Sequence, residues 1–194
     1  MTRFAVAILM LMTFVGAGRA QDLEKLPQGT SRPEPTRPPL APTGAVPSTD
    51  VDLIPGDRAP EFRLDSSLGG SVRLADLKGR WAVMVFDESR AKLAPLAAVE
   101  DSIRSLGATA LGVCPDGIGA LRSFAEREKI GFPLLSDPTR EISQLFGMYD
   151  DENQAIQSGL VIVDPQGLVR MVIQGPSLHA DDVLQMARHV LRGA

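Results

Sequence analysis

Residues 54–194 predict an α/β domain: a mixed sheet with helices on both faces and a β-hairpin at its start. Three observations predict it. Residues 81–86 (WAVMVF) and 108–113 (ATALGV) are continuous apolar runs, the pattern of strands buried on both faces. Between and after them, apolar residues recur at helical spacing. Near the end, two further apolar runs flank Asp164-Pro165-Gln166-Gly167, a turn signal between paired strands. Strands alternating with helices, then a hairpin and a closing helix, specify this class.

Each element has its own reason. Phe62 and Leu64 alternate with Glu61, Arg63 and Asp65, and Val72 and Leu74 alternate with polar neighbours after Gly69-Gly70, which reads as the opening hairpin. Trp81 to Phe86 is the first central strand. Leu96, Val99, Ile103 and Leu106 give a helix that Gly107 stops, with Pro95 in its first turn, where a missing N–H costs nothing. Residues 108–113 are the second central strand. Leu121, Phe124 and Ala125 mark a helix ending near Lys129, and residues 132–135 a short strand. Asp137-Pro138 reads as a helix start, Asp as N-cap and Pro at the first position, with Ile142, Leu145 and Phe146 as the apolar face. Residues 160–163 and 168–173 form the late hairpin. Val183, Leu184, Ala187, Val190 and Leu191 stripe the last helix. Its acids Asp181 and Asp182 sit early and Arg188, His189 and Arg192 late, as the helix dipole favours.

The chain ahead of this domain divides in two. Residues 1–20 have a short positive start at Arg3, an apolar run from Phe4 to Val15, and small residues up to Ala20. That is the layout of a secretory signal peptide cleaved after Ala20. The run falls short of the ~20 residues a spanning helix needs, which disfavours the alternative of an uncleaved anchor. Residues 21–53 then carry prolines at 27, 33, 35, 38, 39, 42 and 47 among Thr, Ser, Gly and Arg, without apolar periodicity. Such a segment buries too little surface to offset its chain entropy and reads as a disordered, extended linker. The expected location is therefore outside the cytoplasm, periplasmic or secreted, with no membrane span after signal cleavage.

Composition excludes several functions. The formal charge of −4 lacks the basic footprint of a nucleic-acid binder. One Cys rules out an internal disulfide, a CxxC redox pair and a multi-Cys zinc site. His179 and His189 have no Cys or Glu at metal-ligand spacing, and the acidic run Asp150-Asp151-Glu152-Asn153 lacks EF-hand spacing, so neither a metal nor another cofactor is expected.

Ordered motifs add a resemblance. Gly56-Asp57-Arg58-Ala59-Pro60-Glu61-Phe62 resembles the G-x-x-A-P-x-F opening of peroxiredoxins. Residues 72–79 (VRLADLKG), 111–116 (LGVCPD), 121–126 (LRSFAE), 132–137 (FPLLSD), 144–147 (QLFG) and 161–167 (VIVDPQG) follow in the family's order. The domain is similar to the AhpC/TSA peroxiredoxins, most of all their bacterioferritin-comigratory-protein branch. That resemblance implies a thioredoxin-like fold and thiol-dependent antioxidant or oxidoreductase activity.

The family's reactive groups do not carry over. The resemblance implies a Pro-x-x-x-Thr-x-x-Cys segment after the strand ending at Phe86, whose thiolate attacks peroxide with its pKa lowered by a helix N-terminus and an Arg. Residues 87–95 read DESRAKLAP, without Cys or Thr, and Pro95 falls too late for the motif. The segment is also shorter than the family's, so the loop and first helical turn that hold the nucleophile are expected to be missing. The family's Arg falls near Ser158 and is absent too. Asp87 and Glu88 bring negative charge where a thiolate needs positive.

Cys114 is the one remaining candidate catalytic residue, a redox thiol just past the second central strand. In α/β sheets, sites gather at that edge. A buried small apolar residue and an intermolecular disulfide are the competing readings. The sequence therefore leads to an exported peroxiredoxin-like pseudoenzyme, a binding or scaffold module of the cell envelope. Its expected partner is a second copy or another envelope protein. The alternative is a thiol oxidoreductase, reducing peroxide or disulfide through Cys114.

Overall fold

The computed structural model describes residues 53–175 and 178–193. The expected signal segment, and the linker up to residue 52, lie outside the described residues. Among the described residues the core begins at Leu53, which is buried, while Ile54 is exposed.

The element order is β1 (Arg63–Ser66), β2 (Ser71–Arg73), β3 (Trp81–Phe86), α1 (Arg90–Leu93), α2 (Glu100–Ser105), β4 (Ala108–Cys114), α3 (Ile118–Glu128), β5 (Leu134–Ser136), α4 (Glu141–Leu145), β6 (Tyr149–Asp150), β7 (Ala155–Ile156), β8 (Gly159–Val163), β9 (Val169–Gln174) and α5 (Ala180–Arg192). One seven-stranded sheet runs β2-β1-β5-β4-β3-β8-β9, and β6-β7 is a separate hairpin. β3, β4 and β5 are mutually parallel neighbours, while β1, β8 and β9 join antiparallel on the two sides. The mixed α/β sheet of the sequence reading is therefore present, with its opening and closing hairpins.

The sheet separates two apolar layers. Alternation sends Val83, Val85, Ala110, Leu160 and Ile162 to the face covered by α2, α3 and α5, through Ile103, Leu121, Phe124, Val183 and Ala187. Ala82, Met84, Phe86, Leu111, Val113 and Val161 face the other layer, with Phe62, Leu74, Phe146 and Met148. Strands with both faces covered need continuous apolar sequence, which is why β3, β4 and β8 carry it. Each fully buried Leu, Ile or Phe contributes about 1.5–3 kcal/mol of transfer free energy.

Several local expectations are corrected. The helix expected from Pro95 to Leu106 is broken into α1, a 3₁₀ stretch Ala94–Ala98 and α2. Pro95 opens the 3₁₀ stretch, whose backbone tolerates the missing donor. A helical turn does follow β3, but it carries Arg90, Lys92 and Leu93. Leu74 lies in a 3₁₀ turn, Leu74–Leu77, rather than in the second hairpin strand. Helix α4 starts at Glu141, not at Pro138, because Arg140 adopts a left-handed φ of 59° just ahead of it. Asp137 still satisfies its first turn from a distance, accepting the Ser143 N–H at 2.8 Å and the Ser143 hydroxyl at 2.7 Å. Strand β8 begins one residue earlier than its apolar run and ends at Val163 as expected, β9 is shifted one residue later at both ends, and β4 runs on to include Cys114.

Candidate functional site

Register places the site. Phe86 pairs with Val113 on one side and Gly159 on the other, and Cys114 pairs with Ser136. The carboxyl ends of the three parallel strands and the start of β8 thus share one edge. The residues just beyond them, Asp87-Glu88, Asp116, Asp137, Arg140 and Ser158, are brought together there. Loops at this edge of an open α/β sheet are where ligand and reactive groups ordinarily gather.

Asp87 is buried at 3% exposure. Its carboxylate accepts the Ser158 hydroxyl and, at 2.9 Å, the Ser89 N–H, and the Lys92 ammonium lies 3.5 Å away. Its own N–H donates to the Val113 carbonyl at 3.1 Å, which fixes the residue to the end of β4. Glu88 turns the other way. It accepts from Arg140 Nη2 at 2.6 Å and from the Ile156 N–H at 2.8 Å. Burial opposes its charge, but the Arg140 guanidinium and the Ile156 N–H outweigh that and hold its pKa below the usual glutamate value.

A third pair closes the β4 side. The Arg90 guanidinium donates to Asp116 and lies 5.5 Å over the Phe124 ring, which Arg127 also approaches at 5.3 Å. The Ser136 hydroxyl donates to the Asp116 carbonyl at 2.7 Å. Beneath this pair lies Cys114, fully buried among Leu121, Phe124 and Leu134. Burial pushes its thiol up to about 12, and the Asp116 N–H and the Arg90 charge offset only part of that. The thiol is thus held protonated near neutral pH, where a nucleophilic Cys needs the opposite. Among the described residues, no buried side-chain polar atom lacks a hydrogen-bond partner. No group of three or more potential metal ligands converges among them. The edge is polar and satisfied by this chain's own groups.

This fold and strand order can be compared with known proteins. The model of the AhpC/TSA family matches residues 55–172, well over half of the chain. The chain belongs to the AhpC/TSA family. Peroxiredoxin Bcp of Escherichia coli is 29% identical over 148 residues, covering 68% of this chain and 94% of that protein. The chloroplastic peroxiredoxin Q of Suaeda salsa is 27% identical over 158 residues, covering 76% and 74%. Among solved structures, peroxidoxin BcpB of Mycobacterium tuberculosis matches with TM-score 0.64 at 22% identity, over 73% of this chain and 97% of that one. Peroxiredoxin Q of Xanthomonas campestris matches with TM-score 0.63 at 24% identity, over 74% and 99%. The fold is the thioredoxin-like fold of the peroxiredoxins.

Within this AhpC/TSA chain, the segment after β3 offers two carboxylates, the Arg90 guanidinium and the Lys92 ammonium, and no thiol. Ser158, at the position where the resemblance implies an Arg, hydrogen-bonds to Asp87. Sequence reading singles out Asp87, Glu88, Cys114 and Ser158 but gives no hint that Arg140 and Arg90 complete the edge. Their partners lie 52 and 26 residues away, and no local pattern encodes such pairs. The acidic run after Asp150 is the turn of the β6–β7 hairpin: Asp150 accepts the Glu152 and Asn153 N–H groups at 2.9 and 3.1 Å. A surface concavity of about 550 Å³ is lined by Gln185, Arg188, His189, Arg192 and Gly193 at the end of α5, and by no residue of the strand-end cluster.

Proposed function

We propose that this is an exported AhpC/TSA-family protein that has lost thiol peroxidase activity and serves as a binding or scaffold module of the cell envelope. The observation that carries the reading is the occupancy of the β3 end. Asp87 and Glu88 are committed there to Ser158, Ser89, Lys92, Arg140 and Ile156. A peroxidatic thiolate requires exposure and a positive field. The one thiol of the chain is buried and its ionisation is disfavoured. A core intact on both sheet faces alongside a spent reactive edge fits a fold retained for binding.

Export rests on the signal pattern of residues 1–20, and the Pro-rich segment that follows suits a tether. The partner in this reading is a second copy or another envelope protein. The test is hydrogen peroxide consumption by the purified protein with a dithiol reductant, beside a Cys114→Ser variant. Background rates in both are expected. A rate that disappears in the variant would overturn the proposal and return the protein to thiol-dependent oxidoreductases acting through Cys114.

A further inference from the structure

We infer that the β6–β7 hairpin is a strap across the carboxyl end of the sheet, and that the Glu88 carboxylate is the tie that holds it closed. The inference stands independently of peroxide turnover. Three segments remote in sequence meet on this one carboxylate. Glu88 projects from the end of β3. Arg140 reaches it from the turn between β5 and α4, at 2.6 Å, and Ile156 from β7, at 2.8 Å. Arg140 has φ 59°, a backbone state that residues with a side chain rarely adopt, so its surroundings must hold it there.

The hairpin has little cohesion of its own. Each strand is two residues long, and only Tyr149↔Ile156 and Asp150↔Ala155 are in register. Isolated two-stranded hairpins are marginal at best. Its turn is exposed, and the Asp150 carboxylate bonds back to Glu152 and Asn153 within that turn. Among the described residues, the Ile156 N–H bond to Glu88 is the hydrogen bond that fastens a hairpin strand to the end of β3. Apolar packing supplies the rest: Met148 and Ile156 are buried in the same layer as Phe86 and Phe146. Lifting the hairpin would therefore uncover the floor around Phe86 and Phe146 while the sheet stays intact. That is the character of a local opening unit, with few tertiary bonds and an exposed tip.

Hydrogen exchange on the full-length protein, read by mass spectrometry at neutral pH, tests the strap. Glu88→Ala should speed exchange of residues 148–157 about tenfold, with β4 unchanged. Arg140→Gly separates tie from backbone. Glycine relaxes the left-handed φ, so a purely conformational role for Arg140 predicts slower or unaltered exchange of 148–157. Loss of the guanidinium that anchors the Glu88 carboxylate against the Ile156 N–H predicts faster exchange. Unaltered exchange of 148–157 in either variant, or equal acceleration across β4, would overturn the inference.

Discussion

The Ser158 hydroxyl donates to the buried Asp87 carboxylate, linking the residue after β3 to the residue before β8 across 71 positions of sequence. The family resemblance implies a cation near one of these positions and a thiolate held beyond the other. Here a built-in anion and a neutral donor satisfy each other, and Lys92 supplies a partly solvated counter-charge. The electrostatic sense of the edge is inverted, which is the physical root of the proposed loss of activity.

Removing that anion should cost stability. Asp87→Ala leaves the Ser158 hydroxyl and the Ser89 N–H without their acceptor, and we expect a loss of about 2–3 kcal/mol. Ser158→Ala removes one donor from a charged acceptor that keeps others, for about 1–2 kcal/mol. Urea denaturation at pH 7 checks both. Equal stability of Asp87→Ala and the parent would contradict the network.

Acid sensitivity should run through Asp164. Burial works against its ionisation, but the Leu168 N–H at 2.9 Å, the Arg170 Nε at 2.7 Å and the Gln166 N–H at 2.9 Å outweigh that and hold its pKa below 3.8. The folded value lies below the unfolded one. The stabilisation is therefore complete above the ordinary aspartate range and is lost as pH falls through the folded value. Asp164→Asn should flatten the fall of unfolding free energy below about pH 4. A slope identical to the parent's would rule this out.

Gly159 should resist enlargement. A Cβ there would meet the Ile173 carbonyl oxygen at 2.8 Å as well as the Met148 sulfur. The sulfur belongs to a flexible side chain, but the carbonyl is backbone of the adjoining strand β9. Gly159→Ala should cost about 1–3 kcal/mol, and shortening Met148 should not restore it. Thermal unfolding of the single and double variants checks this, and recovery in the double variant would place the clash on Met148 alone.

Cys114 should react only through opening of the protein. Its sulfur is enclosed and its ionisation pushed up to about 12. Alkylation at pH 8 should be slow in native buffer and should accelerate with urea in step with unfolding. Stoichiometric labelling in native buffer within minutes would contradict its burial.

Much of the fold is legible in the sequence because its strands are doubly covered. The six residues of β3 and the run Leu160–Val163 are apolar without alternation, and only a sandwiched strand needs that. Helix α5 is legible from its stripe and its charge polarity. The β6–β7 hairpin is not, since two-residue strands carry no alternation and an acidic turn looks like any solvated loop. Asp137-Pro138 misleads because the helix starts after Arg140, whose left-handed φ of 59° follows a local turn, its N–H donating to the Asp137 carbonyl at 3.0 Å, and no residue-type signal announces it. The site follows the same division. The missing thiol, Thr and Arg can be read directly. The pairing of Asp87 with Ser158, Glu88 with Arg140 and Arg90 with Asp116 is created by strand order and has no local signature.

The central claim is that this edge presents no thiol to peroxide, and stoichiometric oxidation tests it most directly. Folded protein would be mixed with hydrogen peroxide in the presence of dimedone, and the peptide bearing Cys114 examined by mass spectrometry, with urea-unfolded protein as the reactive control. The account predicts that Cys114 stays a thiol in the folded sample and is labelled in the unfolded one. Rapid formation of the dimedone adduct on Cys114 in native buffer would contradict it.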